Sequence, residues 1–132
     1  MENQIIVVDT DILINASRKK RTKLAYYLNL KSQNKIKLLI SVITSFEYLS
    51  GTYLIDKRQY ERAKELLNNF SIQDLTQQIV EIAAKINREN RLYLQVESAD
   101  ILIGATALYF EAPLLTENKK HFKLIPGLRL AK

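Results

Sequence analysis

The sequence predicts a parallel-rich α/β sandwich, and three observations carry that expectation. Short apolar runs alternate with amphipathic helical patterns along the 132 residues, the order that produces parallel strands joined by helices. The first run, Gln4-Ile-Ile-Val-Val8, is β-branched and stops on Asp9, as a strand buried on both faces does. Ser98 to Phe110 is nearly all apolar, with no charge in the ten residues after Asp100, which marks a helix buried all round.

The elements follow in order. A helix is expected from Thr22 to Leu30, with Leu24, Tyr26, Tyr27 and Leu28 on one side, then a strand at Lys37–Ile40. Ser41-Val-Ile-Thr-Ser45 supplies capping hydroxyls for a helix carrying Phe46, Leu49, Tyr53 and Leu54. Gln59 to Phe70 shows helical spacing at Ala63, Leu66, Leu67 and Phe70. A brief strand at Phe70–Ile72 leads to Asp74, the expected N-cap of a helix over Leu75–Asn90 whose face is Ile79, Ile82, Ala83 and Ile86. Pro113 separates the apolar helix from a strand at Leu114–Thr116, and Pro126-Gly127 precedes a last strand at Leu128–Leu130. There is no internal repeat and no linker-like stretch, so residues 1–132 are expected to form one domain.

Composition narrows the chemistry. The chain has no cysteine and one histidine, His121, which excludes disulfides, thiolate zinc sites, cysteine nucleophiles and multi-histidine metal sites. Lys plus Arg exceed Asp plus Glu by 20 to 14, an excess suited to a polyanion or an acidic protein. The charge concentrates in Arg18-Lys-Lys-Arg-Thr-Lys23, in Lys31 to Lys37 and in Glu117 to Lys123. Absence of cysteine is compatible with a reducing cytoplasm. The first residues lack the basic start and long apolar core of a signal peptide, and no segment has the length of a membrane span.

Against this background, two of the five aspartates fall in Val7-Val-Asp-Thr-Asp-Ile-Leu-Ile14. A carboxylate among aliphatics must be paired, hydrogen-bonded or protonated, because burying it alone costs several kcal/mol. Asp9 stands at the carboxyl end of the first strand, where sites form in parallel sheets; capping the next helix is an equally ordinary use of Asp9 or Thr10. Glu47 closes a capping-box pattern with Thr44, yet Ser41 is the better N-cap, which puts Glu47 in the second turn on the side of the strand ends. Asp100 opens the apolar helix, where interaction with the helix dipole competes with any other role. Three acids at the starts of three elements around one sheet edge form a convergent pattern. Oxygen donors of this kind suit Mg²⁺ or Mn²⁺, and a cation there points to phosphodiester chemistry, with basic surface alongside for the rest of a polyanion.

Four segments, VVDTDILI, ITSFEYLSG, SADILIGATAL and LLTENKKHFKLIPGLRL, in this order and at these separations, resemble a PIN-domain ribonuclease of the VapC toxin type. The resemblance spans almost the whole chain. It implies a PIN-like three-layer sandwich, a central parallel sheet of about five strands with helices on both faces. It further implies an endoribonuclease that needs Mg²⁺ or Mn²⁺, held by Asp9, Glu47 and Asp100. Where many members carry a fourth acid after a threonine, this chain has Thr116-Glu117-Asn118, so Asn118 takes the fourth catalytic place or Glu117 swings in. Asp11, Thr10 and Thr116 are assigned supporting roles. Arg18, Lys19, Lys20 and Arg21, with Lys119 and Lys120, are the expected RNA contacts. The type also implies a cognate antitoxin whose segment blocks the site, a homodimer, and a cytoplasmic location. The tyrosines Tyr26, Tyr27, Tyr48, Tyr53 and Tyr60 could serve a protein interface, although tyrosines at helical spacing commonly just pack.

Two alternatives stand beside that expectation. Loss of the fourth acid suits a catalytically weak or inactive PIN-like module that binds RNA or protein. A structure-selective DNA nuclease would use the same acids, but 132 residues leave little room for the helical insertions with which such enzymes grip DNA.

Overall fold

A computed structural model of the chain describes residues 4–18, 22–51 and 56–132. The order is β1 (Gln4–Val8), α1 (Thr10–Arg18), α2 (Lys23–Ser32), β2 (Ile36–Ser41), α3 (Val42–Leu49), α4 (Lys57–Leu67), β3 (Ser71–Gln73), α5 (Gln77–Asn90), α6 (Ser98–Tyr109), β4 (Leu114–Leu115) and α7 (Lys119–Phe122), with a 3-10 turn at Leu92–Leu94. The four strands are all parallel in the order β3-β2-β1-β4. Leu130 adds a single parallel bridge to Leu114, so the expected fifth strand at Leu128–Leu130 is reduced to one residue of pairing.

Side-chain alternation along β1 divides the core. Ile6 and Val8 face one side with Ile12, Leu13, Leu24, Tyr27 and Tyr48 from α1, α2 and α3. Val7 faces the other with Ile79, Ala83, Ile101, Ile103 and Ala105 from α5 and α6. This period of two is what a strand covered on both faces requires, and it makes the three layers. Each fully buried aliphatic contributes roughly 1.5–3 kcal/mol relative to exposure, so β1 is held from both sides and its end is a rigid platform.

The topology fixes where a site can form. The chain runs outward from β1 to β2 to β3, then crosses back to place β4 on the other flank of β1. That reversal is a topological switch point, and crevices open there beyond the carboxyl ends of the strands. Val8 pairs with Leu115, so Asp9 and Thr116 leave the sheet side by side, tied by Asp9 N–H donating to the Leu115 carbonyl at 2.9 Å.

Several local expectations are corrected. Phe46 was placed among the packing residues of α3 but is 71% exposed, whereas Thr44 and Tyr48 are buried. Residues two apart on a helix do not share a face, and the docked side of α3 is the one through Thr44 and Tyr48. Tyr26 likewise points outward, edge-on to the buried Tyr27. α5 is capped by Thr76, whose hydroxyl accepts from Ile79 N–H at 3.3 Å, and not by Asp74. Only the residue directly before the first helical turn can reach that donor. α4 begins at Lys57, with Asp56 as its N-cap, and ends at Leu67, three residues before the expected Phe70. Tyr53 and Leu54 lie outside the described residues.

Candidate active site

Asp9 is 4% exposed and accepts a hydrogen bond at each of its carboxylate oxygens. Its Oδ1 accepts Thr10 N–H at 2.7 Å, and its Oδ2 accepts the Thr116 hydroxyl at 2.7 Å. Thr116 in turn accepts Asn118 N–H at 2.9 Å. The end of β4 therefore grips the carboxylate at the end of β1. Burial pushes Asp9 up to about 8, with the charges of Asp11 and then Asp100 adding to the rise, against the opposing hydrogen bonds from Thr116 and Thr10.

Glu47 comes from α3. Ser41 is the N-cap, its hydroxyl accepting Ile43 N–H at 3.0 Å, so Thr44 is not a cap and Glu47 lies in the second turn. The Thr10 hydroxyl donates to Glu47 Oε1 at 2.7 Å and also lies 3.1 Å from the Thr44 hydroxyl. Thr10 is thus the bridge of the site: its N–H holds Asp9 and its hydroxyl holds Glu47.

Asp100 stands in the first turn of α6 and is half-buried. Glu97, at the N-cap position, makes no side-chain cap, and Asp100 accepts no hydrogen bond among the described residues. Burial lifts Asp100 to about 6, with Glu47 and then Glu97 adding to the rise, His121 opposing it, and Asp11 contributing a smaller push. Asp11, in the first turn of α1, accepts Glu117 N–H at 3.3 Å and is raised by its own burial. Its charge acts on Asp9 more strongly than that of Asp100 does, an effect that spacing in the sequence did not reveal.

The β4–α7 segment carries the remaining candidates. The Glu117 carboxylate pairs with Lys23 at 3.6 Å. The Asn118 side-chain amide lies 3.0 Å from His121 Nδ1. The Glu117 charge acts on Asp11, and Asn118 brings no charge. Lys119 and Lys120 are exposed on α7. Arg18 ends α1 and lines a cavity of about 480 Å³ between α1, α3 and α4 with Tyr48, Gln59, Arg62 and Leu66. Lys19, Lys20 and Arg21 lie outside the described residues. Sequence reasoning missed the contacts of Thr44 with Thr10, of Lys23 with Glu117 and of Asn118 with His121. Thr44 had a visible signal, since it sits three residues before Glu47 and therefore on the same helix face, but the capping-box pattern accounted for it.

The acids of this crevice offer hard oxygen donors, with the His121 imidazole acting on Asp100. Among the described residues no three acidic or imidazole side chains converge closely enough to enclose an ion unaided. The donor set still fits Mg²⁺ or Mn²⁺, which take one or two carboxylates and draw their other ligands from water and phosphate oxygens. The charges of Asp11 and Asp100 act on Asp9, and those of Glu47, Glu97 and Asp11 act on Asp100, a load that a cation would relieve.

A doubly covered parallel sheet whose switch point carries an acidic crevice is the class to which this molecule belongs. A PIN domain family model matches residues 6–128, and with the 30% identity described next, the chain belongs to the PIN-domain family, of the VapC type. It is 30% identical over 133 residues to Ribonuclease VapC1 of Methanocaldococcus jannaschii, covering 98% of this chain and 88% of that protein. In structure it is similar to VapBC2 from Rickettsia felis, solved bound to a DNA fragment from their promoter. The TM-score is 0.81 at 26% identity, over 97% of this chain and 98% of that one. It also shares its fold with DNA-bound VapBC from Salmonella typhimurium, with a TM-score of 0.83 at 22% identity over 97% of each chain. No helix among the described residues is long and apolar enough to cross a membrane.

Proposed function

We propose that residues 1–132 act as one PIN domain and cleave RNA internally as the toxin of a toxin-antitoxin pair, with Mg²⁺ or Mn²⁺ as cofactor. The observation that carries this reading is that Thr10 hydrogen-bonds both Asp9, after β1, and Glu47, on α3, while the charges of Glu47 and Asp11 act on Asp100, on α6, in a chain whose net charge is +6. Kinship with Ribonuclease VapC1 supplies the activity, and neighbours solved as VapBC supply the antitoxin.

In this reading Asp9, Glu47 and Asp100 hold the cation. When bound, it neutralises charge on the scissile phosphate and lowers the pKa of water for attack at phosphorus. Thr10 and Thr116 keep the Asp9 and Glu47 oxygens in place, and Asp11 adds negative charge from the neighbouring turn. Asn118 completes the catalytic set through its amide, and Glu117 supports it by fixing the loop to Asp11. Arg18, Lys19, Lys20, Arg21, Lys119 and Lys120 grip the RNA backbone, a contribution that weakens as salt rises. The toxin is a cytoplasmic homodimer, held inactive by its antitoxin.

The test is cleavage of a structured RNA by the purified protein. Cleavage with Mg²⁺, none with EDTA, and none by Asp9→Asn at unchanged folding are the expected results. Undiminished cutting by folded Asp9→Asn would sink the reading. Loss of the fourth acid favours one other reading, a binding module without catalysis; RNA binding with no cleavage in Mg²⁺ or Mn²⁺ would decide for it.

A further inference from the structure

We infer that Thr44 is a positioning residue that sets the direction of the Thr10 hydroxyl and through it the orientation of Glu47; this rests on the reading of Glu47 as a cation ligand. Thr10 has one hydroxyl proton and two oxygen neighbours, Glu47 Oε1 at 2.7 Å and Thr44 Oγ1 at 3.1 Å. A carboxylate can only accept. The Thr10 hydroxyl is placed to donate to either oxygen, and its one proton goes to the nearer carboxylate, which leaves the Thr44 hydroxyl to donate to Thr10. The hydroxyls form a directed chain, Thr44 to Thr10 to Glu47.

Burial gives the chain its rigidity. Thr44 has no exposed surface and Thr10 is buried, so water does not compete for these groups. Thr10 also donates its N–H to Asp9 Oδ1, and its backbone is fixed at the start of α1. Rotation of its side chain is the remaining freedom, and the Thr44 contact restricts it alongside the bond to Glu47. Glu47 Oε1 is thereby engaged, while Oε2 takes no hydrogen bond among the described residues and is left as the oxygen available to a ligand. One residue ties the acids of β1 and α3 together, and a second residue, on α3 itself, holds that tie in one rotamer. Partners of this indirect kind commonly govern metal affinity by orienting the ligands.

The test compares Thr44→Val, which keeps the shape and removes the hydroxyl, with Thr44→Ser, which keeps the hydroxyl, by Mn²⁺ titration calorimetry and thermal melting. The expected result is Mn²⁺ binding weakened about 10-fold in Thr44→Val, in the range typical of lost partners to metal ligands, with restoration to near wild type in Thr44→Ser and unchanged melting of the metal-free proteins. Equal Mn²⁺ affinity in wild type and Thr44→Val would overturn the inference and leave the cation site standing. No Mn²⁺ binding by wild type would overturn the cation site and this inference with it. Weakened binding in both variants alike would show that side-chain volume matters and the hydroxyl does not, which also overturns it.

Discussion

Asp9 keeps its proton up to about 8 in the fold, against 3.8 ordinarily, because burial disfavours its charged form more than the Thr10 and Thr116 hydrogen bonds favour it. The sign of the consequence follows from linkage. Between 3.8 and about 8 the folded chain holds a proton that the unfolded chain has shed, so stability of the metal-free protein falls as pH rises through that window. Asp9→Asn removes this loss. Thermal melting without metal should give the variant little advantage near pH 4 and a growing one toward pH 8. An advantage that shrinks with rising pH would mean that Asp9 is ionised and stabilised in the fold. The sequence located Asp9 and left open whether it caps α1; the N–H it receives is that of the next residue, Thr10, whereas an N-cap ordinarily serves a donor two or three residues on.

Helix α3 was legible in its start and illegible in its face. Ser41 directly after an apolar run is a local signal, and local chemistry decided the cap. Which side of α3 docks depends on the layer beneath it, and there the hydrophobic Phe46 lost to the hydroxyl-bearing Thr44 because the site, not the core, lies under that part of the helix. The cap has a functional weight, since it holds the first turn of the element that carries Glu47. Ser41→Ala leaves Ile43 N–H without its side-chain acceptor and should cost about 0.5–2 kcal/mol, read by urea denaturation. Unchanged stability would mean that β2 and the core fix the start of α3 without the cap. The last strand is shorter than expected for a related reason: Leu128–Leu130 has the composition of a strand, but after Pro126-Gly127 only Leu130 comes into register with Leu114.

At the scale of the whole molecule, a chain of net charge +6 carries an acidic crevice at the switch point of a parallel sheet. Strand order is a long-range property, and no stretch of sequence states that β4 returns to the far side of β1. Asp9, Asp11 and Asp100 were legible as candidates because each stands at or beside an element boundary, and Glu47 because Ser41, not Thr44, caps its helix. The links among them, Thr10 bridging Asp9 to Glu47 and Asp11 acting on Asp9, required the assembled fold. The central claim is that Asp9, Glu47 and Asp100 form one cation site though they come from three elements. Mn²⁺ titration calorimetry on wild type, Asp9→Asn, Glu47→Gln and Asp100→Asn tests it most directly. The expected result is one binding event in wild type that is weakened or lost in all three variants. Binding that survives undiminished in any one of them, or a wild type that binds no Mn²⁺, would contradict it.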